Sequence, residues 1–178
     1  MSFFEKTLGT ERFFEGKVIS VRRDVVETAD GKETFREVVE HPGGVVIAAV
    51  DENNNIYMVN QFRYPFSEET MELPAGKLEY GEDPMEAAKR ELREETGLTA
   101  NYFVKVGEYY SSPGFCSERL HFYFARELSQ GENDLDEGEF LECVSIPLAK
   151  ASELVMSDVI KDGKTKALVL MAEKLASR

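Results

Sequence analysis

Arg90, Glu91, Glu94 and Glu95 crowd into one short stretch of the chain, and no other run of residues puts so much potential chemistry in so little space. Asp83 and Pro84 stand just before this stretch and Gly97 just after it, which predicts a helix over 84–96. Asp is a good N-cap, proline at the first helical position gives up only an N–H that would be unbonded anyway, and glycine tolerates the left-handed conformation that ends helices. At about 100° per residue, Glu91, Glu94 and Glu95 fall inside one arc of the helix. Met85, Ala88 and Leu92 form a neighbouring apolar face, and Ala87 lies between the carboxylates without obstructing them. Glu91 and Glu95 are a like-charge i,i+4 pair, which costs a bare helix roughly 0.2–0.5 kcal/mol. A divalent cation between them reverses that sign, and carboxylate oxygens suit hard cations such as Mg²⁺ or Mn²⁺. A charged run is otherwise a solvated face, but that reading leaves the bracketing glycines and the central arginine unexplained.

Gly76, Glu82, Arg90, Glu91, Leu92, Glu94, Glu95, Gly97 and Leu98 occupy every fixed position of the pattern Gly-x5-Glu-x7-Arg-Glu-apolar-x-Glu-Glu-x-Gly-apolar. The stretch resembles the signature of the Nudix hydrolases. The resemblance implies an α/β fold, an α/β/α sandwich around a mixed β-sheet, and hydrolysis of a nucleoside diphosphate linked to another moiety. It makes Glu91 and Glu95 the main metal ligands, places Glu94 in the same catalytic cluster, and gives Arg90 the task of orienting the carboxylates. More than one Mg²⁺ or Mn²⁺ ion is implied. Ala75 matches the position whose backbone carbonyl binds metal in related enzymes; Gly76 keeps that carbonyl accessible, or is a plain turn. Glu82 has a weaker claim as a ligand, since a helix N-terminus favours negative charge in any case.

Outside the signature the chain is similar to the ADP-ribose pyrophosphatase branch. The segments that carry this are Arg36-Glu-Val-Val-Glu-His-Pro-Gly, Gln61-Phe-Arg-Tyr-Pro, Glu72-Leu-Pro-Ala-Gly and Ser111-Ser-Pro-Gly-Phe-Cys-Ser-Glu, with Pro113 the mark of an ADP-ribose substrate. The implied substrate contacts are Arg36 and Arg63 on the diphosphate and ribose portions, and Pro113, Gly114 and Glu118 on a substrate loop. An arginine's planar fork suits phosphate oxygens. Taken singly, both arginines are ordinary surface charges and Ser-Ser-Pro-Gly is an ordinary turn. Asp136-Glu-Gly-Glu matches an acidic loop of this branch, which makes Glu137 the general base and Glu139 an auxiliary metal ligand; a solvated loop is the alternative. Phe14 is a candidate to stack on adenine, or else a core residue. The implied reaction is cleavage of ADP-ribose to AMP and ribose 5-phosphate. Another nucleoside diphosphate sugar such as GDP-mannose is the alternative, and a non-catalytic sensor is disfavoured by the intact glutamates.

The elements that must position these residues are legible only in outline. The 178 residues suffice for one domain with a core, and a 42% hydrophobic content is that of a globular chain. The net charge of −13 argues against nucleic-acid binding, since phosphate backbones need basic patches. A bound metal can still invert the field locally for a phosphorylated small molecule. No leader and no membrane-length apolar run is evident, and Cys116 and Cys143 show no paired spacing, so a cytoplasmic location with reduced thiols is expected. His41 and His121 have no spaced partners and are expected to be structural. Strands are expected from Phe13 to Glu40 around an Asp30-Gly31 turn, at 45–50 and 56–62 paired as a hairpin, and near 102–110, 120–126 and 140–146. Helices are expected at 148–156 and 164–175, and 129–139 reads as a mobile acidic loop. Residues 1–42 then form an N-terminal β extension without a core of its own, expected to serve dimerisation and substrate contacts, and 43–178 form the Nudix domain. A homodimer is expected.

Overall fold

The computed structural model describes residues 3–131 and 140–177. The chain forms two compact units, Met1–Gly43 with Tyr110–Arg119, and Gly44–Tyr109 with Leu120–Arg178.

In the first unit, β1 (Lys6–Glu15), β2 (Ser20–Glu27) and β3 (Glu33–Glu40) make an antiparallel three-stranded sheet in that order. Gly31 turns β2 into β3 at a φ of +79°, a conformation glycine adopts freely. The first strand starts at Lys6, ahead of the expected Phe13, because its mixed sequence Lys-Thr-Leu-Gly-Thr-Glu-Arg carries no clear alternation. The loop at 111–118 returns to this sheet: Val39 donates to the Phe115 carbonyl at 2.8 Å, and Ser117 donates to the Val39 carbonyl at 2.9 Å.

The second unit holds two sheets among the described residues. One has the order β7 (Ala75–Lys77), β4 (Gly44–Ala49), β9 (Arg119–Gln130), β8 (Leu98–Tyr110); the other has β10 (Leu141–Pro147), β5 (Asn55–Arg63), β6 (Glu68–Glu72). β4 runs antiparallel to β7 and parallel to β9, so the first of these sheets is mixed. The expected hairpin between 45–50 and 56–62 is not formed. β4 and β5 lie in different sheets and share a single bridge, Val50 to Ile56. The reason is burial. All six residues of β4 are buried, so the strand needs cover on both faces and sits inside its sheet.

Alternate residues of β4 feed two cores. Val46 and Ala48 pack with Ile56 and Met58 of β5 and with Leu148, Ala151, Leu168 and Val169 from α2 (Leu148–Met156) and α3 (Gly163–Ala176). Val45, Ile47 and Ala49 pack with Ala87, Ala88 and Leu92 of α1 (Pro84–Thr96). The mixed sheet is thus covered by α1 on one face, and by β5 with α2 and α3 on the other. The expected mobile loop at 129–139 is corrected in part: Ser129 and Gln130 are the last residues of β9, and 132–139 lie outside the described residues.

Candidate active site

α1 begins and ends where its sequence dictates. The Asp83 carboxylate accepts from the N–H of Met85 at 2.9 Å and of Glu86 at 3.3 Å, Pro84 opens the helix, and Gly97 closes it at a φ of +71°. Ala87, Ala88, Leu92 and Thr96 are buried, which rolls the helix until Glu95 is also turned inward, at 5% exposure. Its carboxylate accepts the Ala75 N–H at 3.0 Å. One of the candidate metal ligands therefore holds another, Ala75, in place.

Gly76 is part of β7 and pairs with Val45, so it is not the plain turn allowed by the sequence. Its role is steric: a β-carbon built there would overlap the carboxylate of Glu91. The missing side chain is the space into which that carboxylate fits.

Arg90 binds three carboxylates. Its Nε and Nη2 donate to the two oxygens of Glu82 at 2.9 and 3.0 Å, and Nη1 donates to Glu91 Oε1 and Glu94 Oε2, each at 2.9 Å. Hydrogen bonding to Glu82, with the nearby charge of Glu91, raises the Arg90 pKa, so the guanidinium is permanently charged. The same hydrogen bond holds the Glu82 carboxyl below its ordinary value. Glu82 also accepts the Glu79 N–H at 3.0 Å, so both of its oxygens are engaged in fixing Arg90 and the turn before the helix.

Arg63 lies at the end of β5 and donates from Nε and Nη2 to Glu72 at 2.7 and 2.6 Å. This hydrogen bonding raises the Arg63 pKa against the opposing effect of burial, with smaller additions from the charges of Glu72, Asp162 and Glu95. Glu72 is buried, and it also takes hydrogen bonds from Thr70 Oγ1 at 2.6 Å and from Lys164 Nζ. Burial alone would raise the Glu72 pKa; Arg63, Lys164 and Thr70 together hold it down to about 2. Sequence reasoning assigned no role to Glu72 or Lys164. Lys164 is far away along the chain, and the available signals at Glu72 were its place at the head of the Glu72-Leu-Pro-Ala-Gly segment and a charge set between Met71 and Leu73.

Arg36, Pro113, Gly114, Glu118 and Phe14 lie on the first unit. Arg36 is exposed and paired with Glu5 through Nε at 2.9 Å and through Nη2. Pro113 and Gly114 form a turn in which the Ser112 carbonyl accepts from Phe115 and Cys116 at 3.1 and 2.9 Å. Glu118 lies 3.4 Å from His41 Nδ1, and that nitrogen accepts the Gly43 N–H at 3.1 Å, a local structural use of the histidine. Phe14 is exposed, so it is not a core residue of its own chain. Glu137 and Glu139 lie outside the described residues.

Among the described residues, no three acidic, histidine or cysteine side chains converge as a ready-made ion cage. The donor set nevertheless fits a hard dication. It is all oxygen and is concentrated on Glu91 and Glu95 beside the Ala75–Gly76 backbone; Arg90 supplies positive charge to Glu91 and Glu94, and Glu95 is held by the Ala75 N–H.

A NUDIX domain pattern matches residues 40–168, which include every residue of this cluster. The chain belongs to the Nudix family. Divalent metal ions are typical of that family. A second pattern, the nucleoside diphosphate sugar hydrolase N-terminal domain, matches residues 5–39. This Nudix chain is 46% identical over 166 residues to an ADP-ribose pyrophosphatase of Bacillus subtilis (strain 168), covering 92% of the chain and 90% of the relative. It is 42% identical to a methanol dehydrogenase activator of Bacillus methanolicus, covering 92% and 89%. A crystal structure of an ADP compounds hydrolase shares the fold at a TM-score of 0.86 and 20% identity, covering 99% of this chain and 97% of the other. No described helix of this Nudix chain is long and apolar enough to cross a membrane.

Proposed function

We propose that this Nudix hydrolase cleaves the diphosphate linkage of ADP-ribose to give AMP and ribose 5-phosphate with Mg²⁺ or Mn²⁺. The observation that supports this best is the carboxylate cluster of α1 seated against the 75–76 backbone and gathered by Arg90. Glu91, Glu95, the Ala75 carbonyl and Glu139 would hold the ions. When bound, dications neutralise phosphate oxygens and lower the pKa of a bound water. Arg90 keeps Glu91 and Glu94 in register, and Glu95 fixes Ala75 through its N–H. Arg63 offers its guanidinium to the diphosphate. Glu137 takes the proton of the attacking water. That role, like the contacts of Arg36, Pro113, Gly114, Glu118 and Phe14 with substrate, rests on the resemblance of their segments to the ADP-ribose branch. The high identity to the Bacillus subtilis ADP-ribose pyrophosphatase supports the choice of substrate.

A homodimer accompanies this reading. Phe13, Phe14 and Phe35 of the N-terminal sheet are all exposed, an apolar surface of the kind that a second copy covers. Free Cys116 and Cys143 fit a reducing, cytoplasmic setting.

The test is product analysis with ADP-ribose, GDP-mannose, NADH and dGTP, each with Mg²⁺. Preferential release of AMP and ribose 5-phosphate from ADP-ribose is expected. Preference for GDP-mannose would move the substrate, preference for dGTP would overturn the branch, and no turnover would favour a sensor.

A further inference from the structure

Arg63 does not stand alone at the end of β5. Its Nε and Nη2 are both committed to Glu72, at 2.7 and 2.6 Å. This side-on pairing fixes the plane of the guanidinium. It leaves Nη1 with no hydrogen-bond partner among the described residues, so the end-on edge of the fork is the one still available to an anion. Glu72 can hold this geometry because it is itself immobilised. It is 1% exposed, Thr70 Oγ1 bonds the oxygen that faces Arg63 Nε, and Lys164 Nζ bonds the other. Lys164 is steadied in turn by Asp162 at 2.9 Å. Asp162 also caps α3 by accepting the Thr165 N–H at 2.9 Å, and Thr165 Oγ1 accepts the N–H of Leu73 at 2.9 Å. The α3 N-terminus is therefore stitched to the chain immediately before Ala75.

We infer that Glu72 is a positioning residue for the reaction: held by Lys164 and Thr70, it aims the guanidinium of Arg63 at the substrate's diphosphate. The inference rests on the proposed contact between Arg63 and that diphosphate. A second consequence is electrostatic. An arginine pulled by one carboxylate alone is a neutral pair with little attraction for phosphate. Lys164 shares the charge of Glu72, so Arg63 keeps positive character toward an incoming anion.

The test is a double-mutant cycle on kcat/KM for ADP-ribose with Arg63→Ala, Glu72→Gln and both changes. It is run below the unfolding onset of every variant, with melting curves recorded in parallel. Arg63→Ala is expected to lower kcat/KM about 10- to 100-fold, the scale of one charged hydrogen bond. Glu72→Gln is expected to do the same alone and to add less than about 2-fold when Arg63 is already replaced. A purely structural Glu72 would lower activity equally in both backgrounds, in step with melting temperature, and that result overturns the inference. A loss in Arg63→Ala with none in Glu72→Gln also overturns it, while leaving the Arg63 contact intact. No loss in Arg63→Ala would remove that contact and the inference with it. Should Glu72→Gln fail to fold, Thr70→Val loosens the same carboxylate without removing its charge. Thr70→Val must then lower kcat/KM when Arg63 is present and leave it unchanged in the Arg63→Ala background. Equal effects in the two backgrounds would overturn the positioning role.

Discussion

The side chain that Gly76 lacks is the space occupied by the carboxylate of Glu91. Helix α1 and strand β7 approach so closely there that a single β-carbon decides where a candidate metal ligand rests. The glycine is not needed for backbone conformation, since Gly76 is absent from the positive-φ residues. It is needed for room.

Gly76→Ala should therefore damage function more than folding. Glu91 must swing away from the methyl group, and a displacement near 1 Å costs about 10²-fold in rate. Gly97→Ala is the contrasting change. At a φ of +71° it should cost about 1–2 kcal/mol of stability while leaving kcat nearly unchanged below the melting temperature. Steady-state kinetics and thermal melts on the two variants separate the effects.

Arg90 bridges Glu82, Glu91 and Glu94, so its loss should be felt as weakened metal binding. Arg90→Ala is expected to raise the Mg²⁺ concentration for half-maximal activity, with a loss of about 10- to 100-fold, the scale for groups that orient metal ligands. Arg90→Lys should recover only part of it, because an ammonium cannot reproduce the two-point contact with Glu82 and still span to Glu91 and Glu94.

Part of this arrangement is legible in the residues alone. The ends of α1 were legible because Asp83, Pro84 and Gly97 act locally, and the carboxylate arc followed from helical spacing. The pairing of β4 was not legible. A run of six apolar residues says that a strand is buried but not which strands bury it, and the parallel partner β9 lies far along the chain. β7 is too short to carry a pattern, so the use of Gly76 as a receptacle for Glu91 could not be seen. The Arg63–Glu72–Lys164 group joins residues from β5, β6 and α3, and nothing in any one segment announces the others.

Glu72 should also leave a mark on acid stability. Its folded pKa of about 2 lies below the ordinary 4.5, so its ionisation stabilises the fold fully above about pH 4.5, and that contribution is lost as pH falls toward 2. The upper limit is about 3 kcal/mol at 1.36 kcal/mol per pKa unit. The difference in unfolding free energy between the native chain and Glu72→Gln, measured by urea titration, should shrink steadily across that interval. A difference independent of pH would contradict the depressed pKa.

The metal site proposed above joins Glu91, Glu95 and the Ala75 carbonyl around dications that face a diphosphate. Crystals grown with Mn²⁺ and an ADP-ribose analogue carrying a methylene in place of the bridging oxygen test it directly through anomalous scattering. Manganese peaks touching those three groups and the analogue's phosphate oxygens are expected. Manganese bound elsewhere, with the α1 carboxylates turned to solvent beside the bound analogue, would contradict it.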